Sequence, residues 1–94
     1  MKAYKHLVAH ALHNGVTVSV WDGEEWQVKR SGKRSDVYAA IESVDEATLR
    51  FRDASGAVIG SALVSCSVDL EDDETVIDYT VTPFMESWEQ SIEV

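Results

Sequence analysis

The sequence predicts an α+β domain in the order α-β-β-α-β-β-β, closed by a short C-terminal helix. Three observations carry this. Two segments, near residues 4–12 and 37–44, place apolar residues at helical spacing. Five segments alternate apolar and polar residues or run apolar for strand-like lengths. The strands within each group are joined by short polar turns, which makes the pairing mostly antiparallel. The expected architecture is two helices on one face of a five-stranded sheet. At 94 residues and 45% apolar content, the chain reads as a single domain, residues 1–94, with one modest core. A core that small is marginal alone, so a homodimer is an open expectation.

Taken in order, Tyr4, Leu7, Val8, Ala11 and Leu12 follow i, i+3, i+4, i+7, i+8 spacing and define the first helix, with Gly15 as its stop signal. Val16, Val18 and Val20 alternate with Thr17, Ser19 and Trp21 as a half-buried strand. Asp22-Gly23 is a two-residue hairpin signal, and the return strand is expected over roughly 25–30, with Trp26 and Val28 on one face. Ser35 is placed to cap a second helix whose first turn holds Asp36 and whose stripe is Val37, Ala40, Ile41 and Val44. In the third strand Ala47, Leu49 and Phe51 face inward, and Thr48, Arg50 and Arg52 outward. After the turn 53–56 comes a longer apolar strand, 57–68, where Gly60 suggests a bulge. Residues 69–74 are an acidic loop, 75–81 a fifth strand, and 84–90 a terminal helix carrying Phe84, Met85 and Trp88 after Pro83.

Charge is distributed unevenly along this order. Residues 1–52 hold all eight Lys and Arg residues against seven acids, a net +1, whereas residues 53–94 hold ten acids and no Lys or Arg, a net −10. A strongly negative half repels nucleic acid and anionic membrane and attracts basic protein surfaces. No apolar run reaches membrane-spanning length. The N-terminal segment is amphipathic and has no signal-peptide h-region. The single cysteine, Cys66, excludes an intrachain disulfide, suits a reducing cytoplasm, and sits in an apolar run as a small core residue would.

Three constellations are candidates for function. Asp69, Glu71, Asp72, Asp73 and Glu74, followed by Asp78, form an acidic partner-binding set. Carboxylates spaced along a surface imitate a nucleic-acid backbone and can occupy a protein site built for one. A solubilising loop is the plainer reading. Calcium is disfavoured, because an EF-hand loop starting at Asp69 would place Glu74 where glycine is needed and Thr80 where glutamate is needed. The second set, Lys29, Arg30, Lys33 and Arg34, surrounds Gly32 just before a helix and is the alternative anion-binding site, with Arg50 and Arg52 as further cations and Trp21 and Trp26 as stacking aromatics. The phosphate-loop pattern is absent from it. The third set, His6, His10 and His13, shares one helical stripe, which leaves open an exposed polar face, a metal site or a pH-sensitive contact. No nucleophile-elbow, zincin or CxxC pattern occurs, and no cofactor motif is present.

The segment WDGEEWQVKRS, followed by ESVDEATLRFRDASGAVIG, resembles a family of small uncharacterised proteins from tailed bacteriophages and prophages. The resemblance spans roughly the first two thirds of the chain and brings no catalytic residue with it. It implies an accessory protein acting in the cytoplasm of a bacterial host, where small acidic inhibitors that mimic DNA have similar size and charge. Composition and resemblance together lead to the expectation of a non-enzymatic protein without a cofactor, docking on a basic, nucleic-acid-binding host protein. The alternative is nucleic-acid binding or self-association through the basic loop 29–34.

Overall fold

The computed structural model describes residues 2–67 and 69–92. Its elements are α1 (Ala3–His13), β1 (Thr17–Trp21), β2 (Trp26–Ser31), α2 (Arg34–Glu42), β3 (Glu46–Arg52), β4 (Val58–Ser65), a short 3-10 turn (Asp72–Glu74), β5 (Val76–Tyr79) and α3 (Pro83–Ile92). The strands form one sheet in the order β2-β1-β3-β4-β5, every neighbouring pair antiparallel. This is the α+β order expected from the sequence. The expected fourth strand was longer, and its last residue, Val68, lies outside the described residues.

One face of the sheet carries the core. Val18 and Val20 of β1, Ala47, Leu49 and Phe51 of β3, and Ala62 and Val64 of β4 are buried there against Tyr4, Leu7, Val8 and Ala11 of α1 and Val37 and Ile41 of α2. Met85 and Trp88 of α3 join the same cluster, so three helices, not two, cover this face. Gly60 explains how α3 comes so close: a Cβ built there would lie 2.9 Å from Met85 Cγ. The β3–β4 register slips beside it, Phe51 pairing with Gly60 but Arg52 with Val58, which leaves Ile59 as the extra residue of a bulge. Cys66 is half-buried at the margin of the core, its thiol 3.7 Å from the Ile41 carbonyl oxygen.

The ends of the elements show where local signals decided the structure. Gly15 adopts φ +74°, the Gly15 N–H donates to Leu12 O at 3.2 Å, and the Val16 N–H donates to Ala11 O at 2.9 Å. That pair of bonds is the Schellman motif, with Val16 and Ala11 both buried as its apolar contact. α3 begins with Pro83 at its first position, and Thr82 Oγ1 accepts from the Met85 N–H at 3.3 Å. Three expectations are corrected. Trp26 and Val28 do not share a face: Val28 pairs with the buried Val20 and packs on the core, whereas Trp26 pairs with Trp21 across a register shift. The first hairpin uses four residues, not two, because Asp22 Oδ1 accepts from the N–H groups of both Glu24 and Glu25 at 2.7 Å and closes a wider turn. α2 starts at Arg34 with Lys33 as N-cap, so Ser35 lies within the first turn; Ser31 Oγ accepts from the Lys33 N–H at 2.9 Å and fixes this earlier start. Among the described residues, no helix is long and apolar enough to cross a membrane.

Candidate functional site

The helices bury the core face of the sheet, and along the sheet the two signs of charge lie apart, the bases toward β2 and the acids toward β5. β5 and the loop before it carry the acidic set at one end. β2, β1 and β3 carry basic residues toward the other.

At the acidic end, Asp69, Glu71, Asp72, Asp73, Glu74 and Asp78 are all exposed. The loop is nonetheless held in place. The Glu71 N–H donates to Glu74 Oε1 at 3.0 Å across the 3-10 turn. Thr75, fully buried, donates its hydroxyl to Asp72 O at 3.0 Å and accepts the Tyr4 N–H at 3.1 Å. Lys2, the N-cap of α1, offers no side-chain bond. Thr75 therefore caps that helix from the far end of the chain, and it sets the acidic loop at a helix terminus whose partial positive charge favours carboxylates. Asp78 lies on β5 opposite Leu63, and its Oδ1 accepts the Tyr79 N–H at 2.8 Å. Among the described residues the one ion pair is Lys5–Glu42, 3.6 Å, so none of these six carboxylates is neutralised there.

The basic set is divided by the structure. Along β1, Val18 pairs with Ser31 and Val20 with Val28, so Lys29 and Arg30 together stand opposite Ser19. This bulge turns on Arg30, which adopts φ +50°, the only non-glycine residue with positive φ among those described. The Arg30 N–H donates to the buried Ser19 Oγ at 2.9 Å. A left-handed arginine costs about 1 kcal/mol or more. The consequence is that Lys29 and Arg30 line one concavity with Arg50, Arg52, Trp26 and Ser19. The Arg50 guanidinium lies 4.8 Å over the Trp26 ring, and Trp21 meets Trp26 edge-on at 5.1 Å. Lys33 and Arg34 do not join them. Arg34 lines a separate cleft with the three histidines of α1, and Lys33 is exposed. Arg50 and Arg52 were legible as outward-facing residues of β3 and Trp26 as an aromatic of the same set, but Ser19 as their company was not, since nothing local in the sequence marks a bulge at Lys29-Arg30.

The histidine stripe is not the solvated face that its polarity suggests. α3 packs beside it: Trp88 Nε1–H donates to His6 Nδ1 at 3.1 Å, His10 Nε2 lies 3.1 Å from Ser87 Oγ, and the His10 ring rests on Phe84 at 5.7 Å. Burial, then the neighbouring His6 and His13, holds His10 below the ordinary histidine pKa. His13 alone is exposed. Among the described residues, no group of three or more His, Cys, Asp or Glu side chains converges to hold a metal ion.

Comparison with protein-family models, curated proteins and solved structures finds no match to this chain.

Proposed function

We propose that this protein is a non-enzymatic binding module, phage- or prophage-encoded, that docks its acidic end on a basic, nucleic-acid-binding protein of the bacterial cytoplasm. The reading rests on one observation: Asp69, Glu71, Asp72, Asp73, Glu74 and Asp78 are exposed on an anchored loop and strand, with no cationic partner among the described residues. Internal ion pairs would have consumed these charges. Left free, on a chain of net charge −9, they attract a basic surface and steer it into contact. Presented in this way, the carboxylates take the place of phosphates in the partner's site.

The test is affinity capture from bacterial lysate with the wild-type chain and with the Glu71→Gln, Asp72→Asn, Asp73→Asn, Glu74→Gln variant. Four exposed pairs at about 0.2–1 kcal/mol each amount to roughly fourfold to just under a thousandfold in affinity. The expected result is a protein captured at low salt, released by salt or by competing duplex DNA, and lost with the neutralised variant. Capture that is indifferent to both salt and neutralisation refutes the docking mode. Self-association of the basic loop 29–34 against the acidic end of a second copy draws on the same charge separation, and a mass by light scattering that grows with concentration would identify it.

A further inference from the structure

Half of the eight Lys and Arg residues line a single concavity, in a chain with 17 acidic side chains. This concavity, of about 260 Å³, lies on the helix-free face where β2, β1 and β3 adjoin, and its wall is Ser19, Trp26, Lys29, Arg30, Arg50 and Arg52. None of the four cations has a carboxylate partner among the described residues. The sheet positions beside them offer none: Arg50 is flanked by Ser19 and Ser61, and Arg52 by Thr17 and Val58. Sheets are stabilised by opposite charges across neighbouring strands and weakened by like charges brought together. Where acids outnumber bases twofold, a cationic hollow without an acid calls for a ligand from outside.

Three contacts shape the hollow. The bulge brings Lys29 and Arg30 to the same rim by way of a left-handed arginine, and a backbone outlier beside a concavity is a pointer to function. The Trp26 ring sits 4.8 Å under the Arg50 guanidinium and holds that cation within the hollow. Arg52 donates through Nη1 to Gly56 O at 2.9 Å, which orients the remainder of its fork.

We infer that this concavity binds a compact phosphate-bearing ligand, either inorganic pyrophosphate or the phosphate end of a small nucleotide. Each guanidinium presents paired donors to phosphate oxygens, and Lys29 adds a point charge. Arg50 already occupies one face of Trp26, so the side chains that line the hollow offer a ligand mainly cationic donors, which suit phosphate. A long polyanion fits poorly. At a strand spacing of about 4.8 Å, β5 and its acidic loop lie only about 14 Å from β1, in the path of a nucleic-acid strand. A ligand confined to the hollow is screened from those carboxylates beyond about 8 Å at physiological salt. The site is separate from the acidic end, and either assignment can fail without the other.

The experiment is titration of the full chain at physiological ionic strength with pyrophosphate, a nucleoside diphosphate and a single-stranded oligonucleotide, followed by calorimetry and tryptophan fluorescence. Saturable pyrophosphate binding at one site per chain is expected. Arg50→Gln and Arg30→Asn each weaken it about tenfold or more. Asparagine tolerates the left-handed backbone at position 30, so that variant keeps the fold while removing the charge. Arg50→Lys weakens binding too, because the charge stays while the fork is lost. Lys33→Gln and the neutralised acidic loop leave it unchanged. A nucleoside diphosphate that binds more tightly than pyrophosphate names the nucleotide as the source; equal affinity names the free phosphate. No saturation at millimolar pyrophosphate overturns the inference, as does equal weakening by Lys33→Gln. An oligonucleotide that binds more tightly than either small ligand, with affinity rising with length, also overturns it in favour of a nucleic-acid surface.

Discussion

Thr75 shows how much one hydroxyl can carry. It is fully buried, and it bonds the Tyr4 N–H, 71 positions away, and the carbonyl of Asp72. Removing it leaves a buried helix N–H unpaired and the acidic loop without its anchor. Thr75→Val keeps the shape and deletes the bonds, and it should cost about 1–2 kcal/mol of stability. Urea denaturation will read this as a lower midpoint at unchanged slope. Thr75→Ser should recover most of the loss. A valine variant within about 0.5 kcal/mol of wild type would show that the cap contributes no more than an ordinary surface contact. Gly60 is a second such position, where the absence of a side chain admits Met85 and with it the whole of α3.

At the scale of elements, the docking of α3 on α1 is the contact most exposed to pH. His10 is held below the ordinary value of 6.5, first by burial and then by the charges of His6 and His13. Its folded-state pKa is therefore lower than its unfolded one, and between the two the unfolded chain binds more protons. The associated stability is fully present above the unfolded value and is lost as pH falls through the folded one. Thermal unfolding should accordingly move to lower temperature as pH is taken from 7.5 down to 5, and His10→Gln should flatten that slope. A slope of the same size in the variant would place the pH dependence elsewhere. The β2 bulge is the element-scale counterpart on the other face. A regular strand would alternate Lys29 and Arg30 between the two faces, whereas two residues opposite Ser19 bring both to one hollow.

For the molecule as a whole, the governing quantity is net charge. The chain measures 35 × 33 × 21 Å and carries −9, with ten of its acids in the second half. At low ionic strength these repel one another across most of the surface, because the Debye length of about 30 Å at 0.01 M matches the size of the molecule. Raising NaCl to physiological strength should therefore raise the melting temperature by a few degrees, about 4–8 °C per kcal/mol for a chain this size. The variant neutralised at residues 71–74 should show a smaller rise. A melting temperature that falls on adding salt would mean that attractive pairs outweigh the repulsion.

Elements were legible in the sequence because their signals are local. The spacing of Tyr4, Leu7, Val8 and Ala11, the alternation through Ala47, Leu49 and Phe51, and Gly15 at a left-handed C-cap each involve residues within a few turns or strand steps of one another. Turn width at Asp22 and the start of α2 were each missed by two residues, because side-chain oxygens of Asp22 and Ser31 chose among closely similar local geometries. The acidic set was readable as composition, and its exposure follows from the cost of burying carboxylates. By itself, then, the sequence determined the order of elements, the inward faces of α1, α2, β1 and β3, and the separation of charge along the chain. Only the tertiary structure decided that α3 packs against His6 and His10, that Thr75 caps α1, and that Lys29 and Arg30 share a hollow with Arg50 and Arg52 while Lys33 and Arg34 do not. Those outcomes depend on strand order and register, which are fixed by contacts between residues distant in sequence, and no periodicity within a single segment encodes them.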